Sequence, residues 1–185
     1  NAGMTSFGFF DETSEALFDK VMDVNIKGVV MGCREMLPLL EKSTRGMIVN
    51  VASIFGLITM PMMTPYHASK FAVRGFTEAL QQDMIFQKKT IDVICVMPGG
   101  IRTNIANYAE TDSGNPNDFA KHFAKVARTT PAQAAKTIEK GMRKNTFRVL
   151  IGPDAKVVDW LYRLLPKNYF RVSNPLMGVQ KFLKQ

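Results

Sequence analysis

The sequence has few of the residues that build disulfide frameworks and metal sites. Its 185 residues include two cysteines and two histidines. Cys33 and Cys95 are far apart, and each lies in an apolar stretch. This placement favours buried, reduced thiols over a disulfide or a zinc site. We therefore expect neither a disulfide-stapled secreted fold nor a resident metal.

Long apolar runs and a signal segment are lacking as well. The longest apolar-leaning run, residues 47–63, is broken by Asn50, Ser53, Thr59 and Pro61. It is too short and too polar for a membrane span. No basic-then-apolar leader opens the chain, which begins with Asn rather than Met. We expect a cytoplasmic protein whose natural start lies elsewhere.

The composition is that of one globular domain, with 46% hydrophobic and 22% charged residues. The net charge of +8 is unevenly placed. Residues 1–120 hold 10 basic and 13 acidic residues (net −3), and residues 121–185 hold 14 and 3 (net +11). A solvated basic face on C-terminal helices explains this excess, and contact with a membrane surface through the basic C-terminal third is the alternative. No nucleic-acid partner is expected.

Helical and strand patterns alternate along the chain. Helices are predicted over residues 12–42, 66–87, 130–144 and 154–165, with a weaker signal at 119–126, and strands over 47–52, 91–96 and 147–151. The second long helix is predicted to bury Ala68, Phe71, Ala72, Gly75, Phe76, Ala79 and Leu80. Residues after 166 are weakly patterned. This alternation predicts an α/β fold, a parallel sheet with helices on both faces.

Polar or turn-forming residues follow three strands of this sheet. Ser53 follows the first predicted strand, Pro98 and Gly99 follow the second, and residues 1–3 would follow a strand that precedes the chain. Parallel sheets bind their ligands beyond the carboxyl ends of the strands. We therefore expect the functional site at this edge.

Tyr66 and Lys70 are the most informative pair of candidate catalytic residues near that edge. They are four residues apart at the start of a predicted helix, so they share a face. A free phenol has a pKa of about 10 and is a poor base near neutrality. A neighbouring ammonium favours the phenolate and lowers that pKa. Taken alone, a Tyr-x-x-x-Lys pair is also a frequent accident of helical sequences.

The surroundings of this pair resemble the active site of the short-chain dehydrogenase/reductase family. The matching segments, in chain order, are residues 1–3 (Asn-Ala-Gly), 23–28 (Asp-Val-Asn-Ile-Lys-Gly), Ser53, 66–70 (Tyr-His-Ala-Ser-Lys) and 98–103 (Pro-Gly-Gly-Ile-Arg-Thr). The resemblance extends to about residue 165. It implies a Rossmann-like, doubly wound parallel sheet whose N-terminal strand–helix units, about three of them, are missing. Residues 1–165 would form this partial domain, and residues 166–185 a basic C-terminal tail.

The resemblance also implies roles for four catalytic residues. Tyr66 would be the general acid in carbonyl reduction and the base in alcohol oxidation. Ser53 would hydrogen-bond the substrate oxygen and stabilise its developing charge. Lys70 would bind the nicotinamide ribose and lower the pKa of Tyr66. Asn25 would hold a water in the proton relay behind Lys70, with a structural helix-interior Asn as the alternative.

The implied cofactor is NAD or NADP. The residues that would contact its nicotinamide end or ribose are Tyr66, Lys70, Pro98, Gly99, Ile101 and Thr103, and Asn1, Ala2 and Gly3 would shape the sheet near the adenosine ribose. The family's Gly-x-x-x-Gly-x-Gly turn is absent from this chain, so the preference between NAD and NADP is not readable. We expect the isolated 185-residue piece to be inactive.

The implied activity interconverts an alcohol and a carbonyl compound, and the apolar loop of residues 54–63 favours an apolar substrate. Residues that would line the cleft, or else only the core, are Phe55, Leu57, Met60, Met62 and Met63. His67 is expected to pack or face solvent rather than transfer protons. The face of Trp160, Leu161, Leu164 and Leu165 is expected to pack on the body or on a second subunit of a homo-oligomer. The alternative is a non-catalytic, truncated binding or scaffold protein.

Overall fold

The computed structural model describes residues 2–113 and 116–176 and contains a three-stranded parallel sheet. Its strands are β1 (Gly46–Val51), β2 (Ile91–Pro98) and β3 (Arg148–Ile151). They lie in the order β1-β2-β3, with Gly46 opposite Ile91 and Cys95 opposite Arg148. The predicted parallel α/β sheet, with its three strands, is therefore confirmed.

Seven α-helices lie around this sheet within the described ranges. They are α1 (Glu15–Met22), α2 (Gly28–Leu40), α3 (Thr64–Phe86), α4 (Pro116–Val126), α5 (Pro131–Arg143), α6 (Pro153–Leu164) and α7 (Tyr169–Leu176). Short 3₁₀ turns occur at Phe10–Glu12, Ile54–Gly56 and Asn104–Ala106. Helix α5 begins with a reciprocal capping box between Thr130 and Gln133, which satisfies free N–H groups at its start. None of the described helices is both long and apolar enough to cross a membrane.

The predicted helix over residues 12–42 is interrupted. A π-helical turn, Asp23–Lys27, joins α1 to α2 and contains Asn25. Isolated π turns are rare, and many lie at functional sites. The apolar periodicity did not reveal this turn, because residues on both sides of it keep helical geometry.

The buried face of α3 differs from the predicted one. Phe71 is 38% exposed, and Gly75 and Ala79 are also exposed. The buried residues are instead Pro65, Tyr66, His67, Ser69, Lys70, Val73, Thr77 and Met84. The prediction was wrong for Phe71, Gly75 and Ala79 because it sought a continuous apolar stripe. Phe76 and Leu80 of the predicted face are half-buried against a core cluster. The face that α3 buries starts with polar residues, whose burial is tolerated when they are hydrogen-bonded.

The weakly patterned C-terminal segment contains α7. The Tyr169 hydroxyl accepts a hydrogen bond from the Thr59 N–H at 3.1 Å and lies 2.8 Å from Thr59 Oγ1. The Tyr169 ring also lies 5.7 Å from that of Tyr162 on α6. These contacts place α7 against the loop of residues 54–63, although the two are far apart in sequence.

Candidate active site

Ser53 and Tyr66 meet where β1 ends. Ser53 is buried and its hydroxyl accepts a hydrogen bond from the Phe55 N–H at 3.1 Å, which starts the following 3₁₀ turn. Tyr66 lies in the first turn of α3, which Pro65 initiates, and its hydroxyl is hydrogen-bonded to Ser53. The two hydroxyls therefore form one polar unit in apolar surroundings.

Lys70 follows Tyr66 by one helical turn. Its ammonium lies 5.6 Å from the centre of the Tyr66 ring. It donates a hydrogen bond to the Val51 carbonyl at 3.2 Å. Among the residues that the structure describes, this carbonyl is the one acceptor within hydrogen-bond distance of the ammonium. An ammonium has three N–H donors. Lys70 is buried and lines the same cleft as Ser53 and Tyr66, so two donors remain for a ligand that brings hydroxyl groups.

Burial governs the protonation of both side chains. It raises the pKa of Tyr66 to about 12, and the hydrogen bond from Ser53 acts in the opposite direction. Burial lowers the pKa of Lys70 to about 8. Burial is the dominant influence on the Tyr66 pKa, and the lowering of that pKa by Lys70 stays a prediction. At neutral pH Tyr66 carries its proton, which is the form that a general acid needs.

Asn25 is buried behind this unit and does not line the cleft. Its side-chain Nδ2 donates to the Met4 carbonyl and to Ser69 Oγ, each at 2.9 Å, and its Oδ1 accepts from the Met4 N–H at 2.9 Å. Ser69 Oγ in turn donates to the Tyr66 carbonyl at 2.7 Å. Asn25 thus connects the start of the chain to α3 through its side chain, and the predicted relay water stays a prediction.

The loop after β2 forms another wall of the cleft. Its backbone is held by the Thr129 segment: Arg102 N–H donates to the Thr129 carbonyl at 2.9 Å, and Thr129 N–H donates to the Gly100 carbonyl at 3.3 Å. The Asp154 carboxylate accepts from the Gly100 N–H at 2.6 Å. A Cβ on Gly99 would lie 2.1 Å from Asp154 Oδ2. A side chain at residue 99 would therefore displace the Asp154 carboxylate from its present position.

The third wall is apolar and lies beside Tyr66. Its buried residues are Tyr66, Phe7, Met63, Ala106, Ala109 and Phe119. The partly buried residues that pack against them are Phe55, Met60, Met62, Ile105, Ala120 and Phe123. Phe7 and Phe119 are stacked with ring centres 4.9 Å apart. We call this set the apolar wall. Leu57, for which the sequence left cleft lining and a core role both open, belongs to the core that includes Cys95 and Met97 of β2.

These walls enclose one cleft of about 1270 Å³, which extends along the edge of β1 that has no partner strand among the described residues. The predicted site residues that line it are Ala2, Gly3, Ser53, Tyr66, Lys70, Pro98, Gly99, Ile101 and Thr103. Asn1 lies outside the described residues. Within the described part of the chain, no group of three or more His, Cys, Asp or Glu side chains could hold a metal ion.

The sequence interpretation missed two kinds of residue at this cleft. Asp154 was overlooked because it is more than 50 residues from Gly100 in sequence, and no local pattern links them. Phe119, which lines the cleft, and Phe7, which stacks on it, were missed because they come from segments without clear periodicity. The one sequence feature that could have pointed to Asp154 is its position as an acidic residue at the start of a predicted helix.

The tyrosine–lysine pair and the serine lie at the carboxyl edge of the parallel sheet, which is where open α/β sheets bind their ligands. The short chain dehydrogenase family model matches residues 1–114. The chain therefore belongs to the short-chain dehydrogenase family.

Relatives and solved structures agree with this assignment. The chain is 42% identical to SadH of Mycobacterium tuberculosis over 184 residues, which is 98% of this chain and 66% of SadH. It is 33% identical to 3-ketodihydrosphingosine reductase of Bacteroides thetaiotaomicron, covering 85% of this chain and 63% of that protein. A short chain dehydrogenase/reductase from Burkholderia phymatum in complex with NAD superposes with a TM-score of 0.80 at 25% identity, covering 90% of this chain and 64% of that one. The chain thus spans slightly less than two thirds of these proteins.

Proposed function

We propose that the protein is a nicotinamide-dependent oxidoreductase that interconverts an alcohol and a carbonyl compound. The observation that carries this proposal is the hydrogen-bonded Ser53–Tyr66 pair with the Lys70 ammonium beside it. The pair lies next to the apolar wall. A bound nicotinamide cofactor supplies or accepts the hydride. The protein supplies placement and a proton.

The residues of the cleft fit the nicotinamide half of such a cofactor. Lys70 is a buried cation with two N–H donors left over, which suits the vicinal hydroxyls of a ribose. Gly99 allows the backbone after β2 to approach closely. Ile101 and Thr103 line the cleft on the same side. None of these residues discriminates between NAD and NADP.

The proposed proton transfer uses Tyr66 and Ser53, which would both contact the reacting oxygen of the substrate. During carbonyl reduction, Tyr66 Oη would donate its proton to the substrate oxygen as the carbonyl carbon receives the hydride. Ser53 Oγ would hydrogen-bond the same oxygen and stabilise its negative charge. During alcohol oxidation the steps run backwards, and Tyr66 must first be deprotonated. Its pKa of about 12 keeps Tyr66 protonated at neutral pH, which is the form that carbonyl reduction requires.

The substrate that fits the apolar wall has a bulky apolar body next to its reacting oxygen. Every member of that wall is apolar apart from the Tyr66 hydroxyl. The relative from Bacteroides thetaiotaomicron is, by its name, a reductase of the keto compound 3-ketodihydrosphingosine. We propose a lipid-like ketone or secondary alcohol.

Turnover with either cofactor tests this function. The full natural-length protein would be screened with NADH and NADPH against ketones of increasing chain length, with Tyr66→Phe as the control. We expect turnover that increases with chain length and is lost in the variant. Cofactor binding without turnover on any ketone or alcohol would support the alternative, a non-catalytic binding or scaffold protein.

A second proposal concerns the basic C-terminal third, which we propose contacts an anionic membrane surface. Val157, Trp160 and Leu164 are spaced by three and four residues on α6, so they share one face. They are 58%, 64% and 57% exposed. Residues 121–185 carry a net charge of +11. An exposed apolar helix face beside basic residues suits the interface of an anionic bilayer.

Trp160 is the one tryptophan of this chain and reports on that contact. Its emission would be recorded with vesicles of phosphatidylcholine, with or without phosphatidylserine, after subtraction of the Trp160→Phe spectrum. We expect a blue shift with the anionic vesicles only. A blue shift that instead follows protein concentration without vesicles would assign this face to a homo-oligomer and contradict the membrane proposal.

A further inference from the structure

His67 ties the loop of residues 54–63 to α3 through both of its ring nitrogens. The Met60 N–H donates to His67 Nε2 at 3.0 Å, and His67 Nδ1 lies 3.2 Å from the Phe55 carbonyl oxygen. Because Nε2 accepts, the neutral ring carries its proton on Nδ1 and donates it to that carbonyl. One imidazole therefore joins two points of the loop, five residues apart.

The two tethered residues belong to the apolar wall. Phe55 and Met60 both line the cleft, and the Phe55 ring packs edge-on to Tyr66 at 6.3 Å and to His67 at 4.9 Å. His67 itself is 4% exposed and does not line the cleft. Its position next to Tyr66 in sequence therefore turns it away from the reacting groups and towards the back of the loop.

The same loop is held from its other side by α7, through the hydrogen bonds between Thr59 and the Tyr169 hydroxyl. At Met62 the backbone adopts a φ of +69°, which is unusual for a residue other than glycine. Such a conformation persists only where the surroundings determine it. The loop is thus a shaped segment that depends on its tethers.

We propose that His67 is a positioning residue for the substrate: its neutral imidazole fixes Phe55 and Met60, and its protonation releases the loop. This proposal rests on the proposed oxidoreductase function for its kinetic consequence, but not for its structural one. An imidazolium donates from both nitrogens, so the Met60 N–H would lose its acceptor.

The surroundings of His67 favour its neutral form. Burial lowers its pKa from the usual value of 6.5. The charged or titratable side chains nearest to it along α3 are Tyr66, Lys70 and Arg74, and α7 carries Tyr169 and Arg171. Besides burial, only hydrogen bonds with backbone groups of the loop act on the pKa of His67, and no carboxylate of the described residues does. The tether is therefore intact at neutral pH, and its release is expected only in acid, below the usual histidine pKa.

Amide hydrogen exchange of the loop tests this proposal without any substrate. In the wild-type protein, the protection factor of the Met60 amide should be constant near neutrality and fall as His67 becomes protonated. His67→Phe keeps a buried ring but has no acceptor, so this amide should be unprotected at every pH. Tyr169→Phe is the matched control from α7. It should reduce protection at Thr59 only, and independently of pH.

The kinetic arm uses the full-length enzyme with a long-chain ketone. His67→Phe should raise the KM roughly three- to tenfold, the range expected for a lost buried hydrogen bond, with little change in kcat or in cofactor affinity. His67→Gln can still accept from Met60 and should recover part of the loss, without the acid dependence. A protected Met60 amide in His67→Phe, together with a wild-type KM, would overturn the proposal. If no ketone turns over, the oxidoreductase function fails while the exchange experiment still decides the role of His67.

Discussion

The loops that follow β1 and β2 bound the same cleft but are held in place by different means. The loop of residues 54–63 is tethered mainly by side chains, which are His67 and Arg74 from α3 and Tyr169 from α7. One backbone hydrogen bond, from the Gly8 N–H to the Met62 carbonyl, adds to them. The loop of residues 98–103 is held mainly through its backbone, by the Thr129 segment and by Asp154. The first presents apolar side chains and the second presents close-packed glycine backbone.

This difference suggests a division of labour under the proposed function. Backbone packing fixes the geometry of the second loop whatever ligand is bound, which suits a constant cofactor. Side-chain tethers allow the first loop to be reshaped by single substitutions, which suits a variable substrate. Ser53, Tyr66 and Lys70 lie between the two loops and would perform the chemistry common to both.

The largest expected effect comes from Tyr66→Phe, which removes the phenolic oxygen and leaves both loops intact. We expect kcat to fall by about 10²–10⁴-fold, the usual contribution of a general acid, while cofactor and substrate affinities stay near those of the wild type. Steady-state kinetics and fluorescence titration of the reduced cofactor measure these two quantities. Near-normal turnover would remove Tyr66 from the mechanism.

Gly99→Ala should weaken cofactor binding without changing substrate binding. The added Cβ would lie 2.1 Å from Asp154 Oδ2, so the loop or the carboxylate must move, at a cost of about 1–3 kcal/mol. We expect weaker cofactor binding, measured by titration calorimetry, and an unchanged KM for the ketone at saturating cofactor. If the substrate KM changed instead, the division between the two loops would be wrong.

Lys70 should make cofactor binding depend on pH. Its pKa is lowered to about 8 by burial, so it is charged below that pH and becomes neutral as the pH rises through it. The cofactor dissociation constant should be constant near pH 7 and increase roughly tenfold above pH 8, since a charged hydrogen bond is lost. Lys70→Arg stays charged throughout, and its dissociation constant should show no such rise.

Met60→Ala should weaken substrate binding without changing cofactor binding. Met60 is half-buried in the apolar wall, and its truncation removes apolar contact worth about 1 kcal/mol, while its backbone bond to His67 remains. The KM for a long-chain ketone should rise roughly fivefold, and that for a short ketone should not change. Equal effects on both ketones would indicate that Met60 supports the fold rather than the substrate.

The smallest effect is expected for Gly75→Ala, the control for glycine replacement. Gly75 lies within α3, is exposed, and has no atom within 4 Å of an added Cβ. Alanine at a helical position is more stable than glycine by about 0.5–1 kcal/mol. Thermal unfolding should shift upward slightly, with cofactor and substrate binding unchanged. Impaired cofactor binding would show that effects of Gly99→Ala are not specific to its position.

Much of the site could be predicted from the sequence because its residues sit at motif positions next to strand ends. Ser53, Tyr66, Lys70 and Pro98 line one cleft, as their placement after β1 and β2 predicted. Asn25 could be singled out as well, but its partners Met4 and Ser69 could not, because hydrogen bonds between distant segments leave no local pattern.

The sequence alone determined the strands, the parallel sheet and the family, because short-range periodicity and motif order carry that information. Only the tertiary structure decided which face α3 buries, how His67 and Tyr169 tether the same loop, and how closely residue 99 approaches Asp154. It also decided the pKa of Tyr66, since burial raises it to about 12 although a cation lies nearby. The physical reason is that burial, close approach and desolvation depend on which distant segments meet, and a sequence pattern describes only neighbours along the chain.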